Sequence, residues 1–391
     1  MEKRYNMKIL KILFAVVALA LIGCEEPDYG SIPNTTIASL GTPENNEIWF
    51  TTTDGKVLLN LDVNAFDVAV TEVAYNEYGI NVIRFAGDVT TIGNGAFEEC
   101  TNIFNLSLPN SVRTIGDYAF YDCKNIECLT LGEGLRSCGR EAFEGCYNLR
   151  SLHIPSIPMW CNISFATKNA NPLYFAEHLL VMGTKITSLN IPMGTETIHD
   201  YAFAYAIGLK EVTIPSTLKT IGKDAFEGCD NIKQVNISSI KAWCAIDFES
   251  EWANPLSLAR NLYLDGSAVQ HVDISGVSDI YSYTFINCDN ICSFTADNAL
   301  TSIGKDAFRN CPALTTVSLG AGVSNIGKQA FMNCKKLSSV TCHATTPPAL
   351  GNNDVFSLNA DNRKFYVPAA SLNSYKEQWS KYAENIEPIT E

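Results

Sequence analysis

The side chains of this 391-residue chain that could bind a metal or form covalent links are its 14 cysteines and 5 histidines. The histidines are His153, His178, His199, His271 and His343. They are too scattered for a zinc site, and no Cys-x-x-Cys pair occurs to supply other ligands. Seven cysteines instead recur at one position of a repeated phrase, at residues 100, 123, 146, 229, 288, 311 and 334. We expect buried thiols there, and the spacing leaves open whether neighbouring members form disulfides.

Motifs typical of catalysis and of phosphate binding do not occur in the sequence. There is no His-Glu-x-x-His, no Gly-x-Ser-x-Gly and no Gly-x-x-x-x-Gly-Lys. The 28 basic and 42 acidic residues give a formal net charge of −14, which is the wrong sign for binding nucleic acid. We therefore expect no enzymatic activity, no cofactor, no bound metal and no nucleic-acid partner.

A repeated phrase of 23 residues must position these cysteines. Phenylalanine recurs at residues 97, 120, 143, 203, 226, 285, 308 and 331, and five of the seven intervals are 23 residues. In one copy, Ile115-Gly116 precedes Ala119-Phe120 and Cys123. A fixed period of this length predicts a solenoid of stacked coils, in which each coil is stabilised by its neighbours.

The parts of one coil follow from its residue types. Leu106-Ser107-Leu108 alternates apolar and polar residues, which predicts a half-buried strand. The Ile-Gly step predicts a turn with the glycine at φ > 0. Ala-Phe-x-x-Cys predicts a short helical turn that points Phe and Cys into the stack, where each Phe would contribute about 2–3 kcal/mol.

This phrase resembles a known family. Leu-x-x-Leu-x-Ile-Pro followed by Ile-Gly-x-x-Ala-Phe-x-x-Cys, over roughly residues 80–345, is similar to the BspA-type leucine-rich repeat family of bacterial cell-surface proteins. The resemblance implies an α/β fold, a right-handed leucine-rich-repeat solenoid over 81–345 with about 12 short-strand coils of 23 residues. It also implies a role in adhesion.

Two steps between strand centres are 37 residues rather than 23, which predicts two enlarged coils. Both contain one phrase, Trp160-Cys161 with Asn171-Pro172-Leu173 and Trp243-Cys244 with Asn254-Pro255-Leu256. Trp160 and Trp243 either cover the enlarged core or stand exposed as candidate glycan contacts. After each long coil, His199 or Tyr281 replaces the glycine, so we expect a rebuilt or strained turn there.

Different sequences at the two ends predict caps for the array. The N-terminal cap would be residues 46–80, in which residues 48–59 predict a hairpin with an Asp54-Gly55 turn. The C-terminal cap would be residues 346–391, with a strand at 364–368 and then a helix. The apolar face of that helix would hold Leu372, Tyr375, Trp379 and Tyr382.

The first 23 residues predict a signal peptide, because basic residues precede an uncharged apolar run at 12–22. The run ends in Leu21-Ile22-Gly23-Cys24, which resembles the bacterial lipoprotein processing site and implies a lipid anchor on Cys24. The alternative is a simple secretory signal with a chance cysteine. Acidic residues directly after Cys24 resemble a surface-export signal, and residues 24–45 predict a tether. These features predict an outer-membrane protein, lipid-anchored and on the cell surface, that contacts the membrane through the anchor only.

The candidate binding face is the set of strand residues that point away from the core. They are Ser107, Thr130, His153, Asn190, Thr213, Asn236, Asp273, Thr295, Ser318 and Thr341. This face is either a solvated sheet or a surface that binds an extended partner. The sequence thus predicts a non-catalytic, lipid-anchored surface protein that mediates adhesion or binds protein or host matrix. A glycan-binding accessory lipoprotein and a passive envelope scaffold are the alternatives, and the ligand itself is not predicted.

Overall fold

The computed structural model describes residues 42–56, 58, 60–75 and 80–390. The predicted signal peptide at 1–23, the lipidation of Cys24 and most of the tether at 24–45 lie outside the described residues. The chain forms two compact units, one that ends at Ile186 and one that begins at Thr187.

In the first unit, short strands alternate between two sheets. The strands are β1 (Glu47–Thr52), β2 (Val70–Ala74), β3 (Asn81–Phe85), β4 (Thr91–Ile92), β5 (Ile103–Ser107), β6 (Thr114–Ile115), β7 (Cys128–Thr130), β8 (Ser137–Cys138), β9 (Ser151–Ile154), β10 (Ser164–Phe165), β11 (His178–Val181) and β12 (Thr184–Lys185). The helices are α1 (Ile157–Cys161) and the 3₁₀ segments Lys168–Ala170 and Pro172–Tyr174.

The second unit continues the same alternation. Its strands are β13 (Ser188–Asn190), β14 (Thr197–Ile198), β15 (Glu211–Ile214), β16 (Thr220–Ile221), β17 (Gln234–Ile237), β18 (Asp247–Phe248), β19 (Leu262–Leu264), β20 (Ser267–Ala268), β21 (His271–Ile274), β22 (Asp279–Ile280), β23 (Ser293–Ala296), β24 (Ser302–Ile303), β25 (Thr316–Leu319), β26 (Asn325–Ile326), β27 (Ser339–Cys342), β28 (Ala349–Leu350), β29 (Lys364–Val367) and β30 (Ile386–Pro388). Its helices are α2 (Ile240–Cys244), α3 (Leu256–Ala259), α4 (Leu372–Gln378) and the 3₁₀ segments Glu251–Ala253, Ala369–Ser371 and Ser380–Asn385.

Most coils give one strand to a parallel ladder and one two-residue strand to a second sheet. In the first unit the sheets run β12-β11-β9-β7-β5-β1-β3-β2 and β10-β8-β6-β4. In the second unit they run β13-β15-β17-β19-β20 with β14-β16-β18, and β21-β23-β25-β27-β29-β30 with β22-β24-β26-β28. Like residues pair, as Leu106 with Leu129 and Leu129 with Leu152. The predicted leucine-rich-repeat solenoid is confirmed.

The phenylalanines of the repeat form the core. All eight are buried, and in the first unit the rings stack nearly parallel, 5.0 Å from Phe97 to Phe120 and 5.1 Å from Phe120 to Phe143. In the second unit Phe203 stacks on Phe226, and Phe285, Phe308 and Phe331 form a run. Phe356, which the period did not predict, extends that run at 5.4 Å.

The glycine of the Ile-Gly step has a different role from the one predicted. Gly116 and Gly139 are not left-handed. A Cβ at Gly139 would lie 2.5 Å from the backbone nitrogen of Asp117 in the preceding coil, so glycine is needed for close approach between coils. His199 and Tyr281 are not left-handed either. They follow β14 and β22, which are the end strands of their sheets, so the expectation of a strained turn there was wrong.

The Ala-Phe-x-x-Cys segment is a pair of tight turns and not the predicted helical turn. Left-handed residues flank the Ala-Phe pair, as Tyr118 at φ 57° and Asp122 at φ 56° do around Phe120. These dihedrals direct the peptide N–H groups along the stack. The Phe120 N–H accordingly donates to the carbonyl of Ala142 in the next coil at 2.8 Å.

The two predicted 37-residue coils were wrong, because each long step contains one more ladder strand. Ser151 pairs with His178 and Val235 pairs with Leu262, so β11 and β19 continue their ladders. Each then forms an antiparallel pair with the next strand, β12 or β20, which is the edge of its sheet. Because that edge is antiparallel, the coil strands that follow, β13 and β21, begin new ladders.

The caps differ in how well the sequence predicted them. The N-terminal hairpin is wrong: a turn does form, with the Lys56 N–H donating to Asp54 Oδ1 at 3.1 Å, but β1 pairs antiparallel with β3 and β5 instead. Both edges of β1 are therefore already paired, and no edge is left for the predicted second strand of a hairpin. The C-terminal strand and helix are confirmed, but the helix ends at Gln378, so Trp379 is its C-cap and Tyr382 lies in the 3₁₀ segment that follows. Both rings are buried all the same, and β30 adds a final parallel strand.

Candidate functional site

The ladder register brings the predicted face residues into lines, one residue per coil. We call these lines the outer column. In the first unit it is Ser107, Thr130, His153 and Leu180. In the second unit it is Asn190, Thr213, Asn236 and Tyr263 on one sheet, and Asp273, Thr295, Ser318, Thr341 and Tyr366 on the other. All ten predicted residues therefore lie on these lines.

Two members of the predicted face are buried, which corrects their assignment as contact residues. Ser107 is 1% exposed and His153 is 8% exposed. Ser107 is the register partner of Trp49 on β1, so the cap's aromatic side chain lies beside it. His153 lies between Thr130 and Leu180, and burial lowers the pKa of its imidazole. Both side chains belong to the packing of the first unit.

Three outer-column residues were missed. Leu180, Tyr263 and Tyr366 are half-buried on the same face as the predicted residues. Tyr263 could have been found from Leu262-Tyr263-Leu264, which has the apolar–polar–apolar alternation of the other strands. The assumption of a single 37-residue coil hid it. Since tyrosine and tryptophan are enriched among residues that dominate binding energies, these additions change the character of the face.

The remaining side chains of this face are mainly uncharged, and several of its polar groups form hydrogen bonds with one another. Two residues before the outer column on their strands, Glu211 accepts from Gln234 at 2.8 Å, and His271 Nδ1 lies 2.8 Å from the Ser293 hydroxyl. Near the C-terminus Lys364 pairs with Glu387 at 2.6 Å. Hydroxyl and amide groups in regular lines can form hydrogen bonds with an extended partner.

Trp160 and Trp243 are not exposed platforms, which overturns the proposed glycan contacts. They are 0% and 1% exposed. Trp160 packs on Phe165 at 5.3 Å and Trp243 on Phe248 at 5.2 Å. The Trp243 indole N–H donates to the Thr284 carbonyl at 3.0 Å. The alternative that these rings cover the core is what the structure shows.

The Asn-Pro-Leu phrase of the second long step also has a structural role. Asn254 is fully buried. Its side-chain oxygen accepts from the Leu256 N–H at 2.9 Å, and its amide donates to the Tyr283 carbonyl at 2.8 Å. It therefore fixes the start of α3 and joins this coil to the next one.

The cysteines are packing thiols. All thirteen cysteines in the described ranges are present as thiols and not as disulfides. The Cys123 thiol donates to the Phe97 carbonyl at 3.0 Å, and Cys229 to Phe203 at 3.0 Å, so each reaches back to the preceding coil. Burial raises the pKa of Cys229 to about 12. Within the described residues no group of three or more His, Cys, Asp or Glu side chains could hold a metal ion.

We expect the buried Cys229 thiol to make stability depend on alkaline pH. An unfolded thiol ionises near pH ~8.5, whereas folded Cys229 stays protonated to about 12. The free energy of unfolding should therefore fall as pH rises between these values, by up to about 1.4 kcal/mol per pH unit for this thiol. Between pH 9 and pH 11, the free energy of unfolding measured in urea should decline about 2 kcal/mol less in Cys229→Ala than in the unaltered protein. The apolar truncation Val235→Ala should keep the full decline, and equal declines in all three proteins would contradict this role.

No helix in the described part of the chain is long and apolar enough to cross a bilayer.

Comparisons with known proteins identify the family of the repeat. The model of the BspA type leucine rich repeat region matches residues 69–181, 177–250 and 258–378, in 6 copies. No curated protein matches the chain.

Three solved structures are similar to this chain. A leucine-rich repeat protein from Bacteroides ovatus is 21% identical, covers 89% of this chain and 99% of its own, and has a TM-score of 0.36. A leucine rich cell surface protein from Faecalibacterium prausnitzii is 19% identical, with 89% and 94% covered and a TM-score of 0.43. The pneumococcal vaccine antigen PcpA is 16% identical, with 82% and 87% covered and a TM-score of 0.38.

Proposed function

This chain belongs to the BspA-type leucine-rich repeat family, and from that premise we propose that it is a non-catalytic adhesion protein of the bacterial surface. In this proposal Cys24 carries the lipid anchor in the outer membrane. The outer column binds an extended protein, such as a host-matrix protein. The family supports a repeat protein that binds other proteins, and the anchor, the location and the ligand are the parts that need testing.

The observation that carries the proposal is the outward line of small polar residues in the second unit. Asn190, Asp273 and Thr295 are exposed, and their neighbours along each ladder are half-buried. Solenoids characteristically bind extended partners along such a surface. Because neighbouring strands lie about 4.8 Å apart, the lines offer hydrogen-bonding groups at regular intervals to a partner that lies across the strands.

Tyr263 and Tyr366 are the residues to which we assign most of the binding energy. Tyr263 ends its line of small residues, and Tyr366 lies between Thr341 and its next register partner, Glu387 on β30. A half-buried tyrosine offers a large apolar area at low entropic cost, and it keeps a hydroxyl for a hydrogen bond. The small neighbours would exclude water around such an anchor rather than contribute much energy themselves.

Replacing either tyrosine with alanine should weaken binding about 30-fold, which corresponds to a loss of about 2 kcal/mol. Residues 25–391, which contain every described element, would be passed over immobilised fibronectin, fibrinogen, laminin and collagen in a surface-plasmon-resonance measurement. Tyr281→Ala is the matched control, because Tyr281 is exposed but lies outside the outer column. Unchanged binding by both Tyr263→Ala and Tyr366→Ala would show that the binding site is not on the sheet face. No binding by the unaltered protein would favour a passive scaffold.

The anchor and the location need separate tests. Growth with radiolabelled palmitate should label the protein but not Cys24→Ser, and protease added to intact cells should digest it. Absence of label would favour a simple secretory signal. Survival of the chain on intact cells would place it inside the envelope and contradict adhesion.

The glycan-binding alternative rested on exposure of Trp160 and Trp243. Both rings are buried, so that alternative is not proposed on these residues.

A further inference from the structure

Five aromatic residues, two of them exposed and three half-buried, lie on the turns of three consecutive coils in the first unit. We call them the tyrosine strip: Tyr118, Tyr121, Tyr147, Tyr174 and Phe175. Tyr118 and Tyr121 meet edge to face at 5.7 Å, Tyr147 meets Phe175 at 5.9 Å, and Phe175 meets Tyr174 at 4.9 Å. Tyr147 is 66% exposed and Tyr118 is 39% exposed. The strip is separate from the outer column, whose residues lie on the ladder strands.

The fold does not require these rings. The position of Tyr118 in its coil is Gly95 in the preceding coil and Glu141 in the next, and all three are left-handed. The position of Tyr121 is Glu144 in the next coil. The turn therefore forms without an aromatic side chain, and the exposed rings remove little of their own area from water. Clustered exposed aromatic side chains typically mark an interaction surface.

The charge around the strip is negative. On the turns of the same three coils, four carboxylates, Asp117, Asp122, Glu141 and Glu144, lie among three cations, Lys124, Arg140 and Lys168. Lys124 pairs with Asp122 at 3.3 Å. The Tyr147 hydroxyl donates to Glu144 at 3.2 Å, and this hydrogen bond, followed by the charges of Glu144 and Asp122, raises the pKa of Tyr147. The potential at the centre of the strip therefore favours a cation.

The chain already places one cation of its own on the strip. The Lys168 ammonium lies 5.8 Å from the centre of the Tyr174 ring, within the range of a cation–π interaction. Tyr118 and Tyr147 offer further exposed rings, with the half-buried Tyr121 beside Tyr118, and carboxylates lie close to them. This combination can receive cations from outside the chain.

We propose that the tyrosine strip is a docking site for a basic segment of a protein partner, rich in arginine or lysine. Guanidinium groups would stack on the exposed rings and form charge-assisted hydrogen bonds with Glu144 and its neighbours. A neutral sugar could stack on the rings but would gain nothing from the excess of carboxylates. An anionic polymer would be repelled. This site is independent of the sheet face and gives the solenoid a second binding surface.

The test uses residues 25–391 and two synthetic peptides, one alternating Gly and Arg and one alternating Gly and Glu, with binding measured by isothermal titration calorimetry. The Arg peptide should bind and the Glu peptide should not. The triple variant Tyr118→Asn, Tyr121→Ser, Tyr147→Ser removes three rings without changing the net charge, and Asn tolerates the left-handed backbone. It should bind the Arg peptide about tenfold more weakly. Tyr281→Ser, which removes an exposed tyrosine of the second unit, should bind as the unaltered protein does.

Each outcome decides the proposal. If the triple variant binds the Arg peptide as tightly as the unaltered protein does, and its thermal unfolding is unchanged, then the peptide is held by general attraction to an acidic chain. That result would contradict the proposed site. If the unaltered protein binds cellohexaose or mannohexaose but not the Arg peptide, and the triple variant binds neither, then the ligand of the strip is a sugar and the proposed basic segment is wrong. Tyr263→Ala and Tyr366→Ala should leave peptide binding intact, so failure of the sheet-face proposal and failure of this one can be distinguished.

Discussion

Replacing Phe120 with alanine should lower the free energy of unfolding by about 3–5 kcal/mol. The ring is fully buried and lies between Phe97 and Phe143, with ring centres 5.0 and 5.1 Å away. Its removal would leave a cavity that neither neighbour can fill, because both are held by backbone hydrogen bonds to their own adjacent coils. The Phe97 N–H, for example, donates to the Ala119 carbonyl at 2.7 Å.

Urea unfolding followed by circular dichroism measures this loss, and hydrogen exchange locates it. The Phe120 N–H, which donates to Ala142, should lose protection in the variant, because stability in a repeat array is mainly a nearest-neighbour property. Phe104→Ala is the control, since Phe104 is half-buried on β5 outside the ring stack and should cost about 1 kcal/mol. A loss below 1 kcal/mol for Phe120→Ala would mean that the aromatic stack does not hold the coils together.

Replacing Gly139 with alanine should cost about 3 kcal/mol or more, although it adds only one methyl group. A Cβ at this position would lie 2.5 Å from the Asp117 nitrogen and 2.6 Å from the Gly116 carbonyl carbon of the preceding coil. The Gly139 N–H also donates to the Ile115 carbonyl at 2.8 Å. The coils would therefore have to separate, and the hydrogen bond that sets their spacing would lengthen.

Two comparisons separate close approach from backbone conformation as the reason for this glycine. Gly87 is not left-handed and its Cβ would meet nothing nearer than 3.9 Å, so Gly87→Ala should change stability by no more than about 0.5 kcal/mol. Gly139→Asn should be at least as destabilising as Gly139→Ala. If the glycine were needed for a positive φ, asparagine would partly restore stability, and that result would contradict the structural explanation.

The long steps show where the sequence pattern ended. The strand Leu262-Tyr263-Leu264 pairs in register with β17, but no Ile-Gly and Ala-Phe phrase accompanies it at the usual spacing. The 23-residue period of the phrase therefore did not reveal the additional coil in each long step. The antiparallel pair β19–β20 that ends the ladder follows from pairing between strands, which the composition of the segment does not specify.

Local sequence patterns were sufficient to predict the solenoid, the column of buried phenylalanines and the buried thiols. These features follow from local periodicity, because each coil packs mainly against copies of itself. The tertiary structure decided how exposed each of those residues is. Ser107 is buried beside Trp49, and the Trp243 indole donates to the Thr284 carbonyl, and in both cases the partner is far away in the chain. The role of Gly139 was likewise decided by the backbone of the coil before it, since a repeat pattern fixes residue types but not the distance between neighbouring coils.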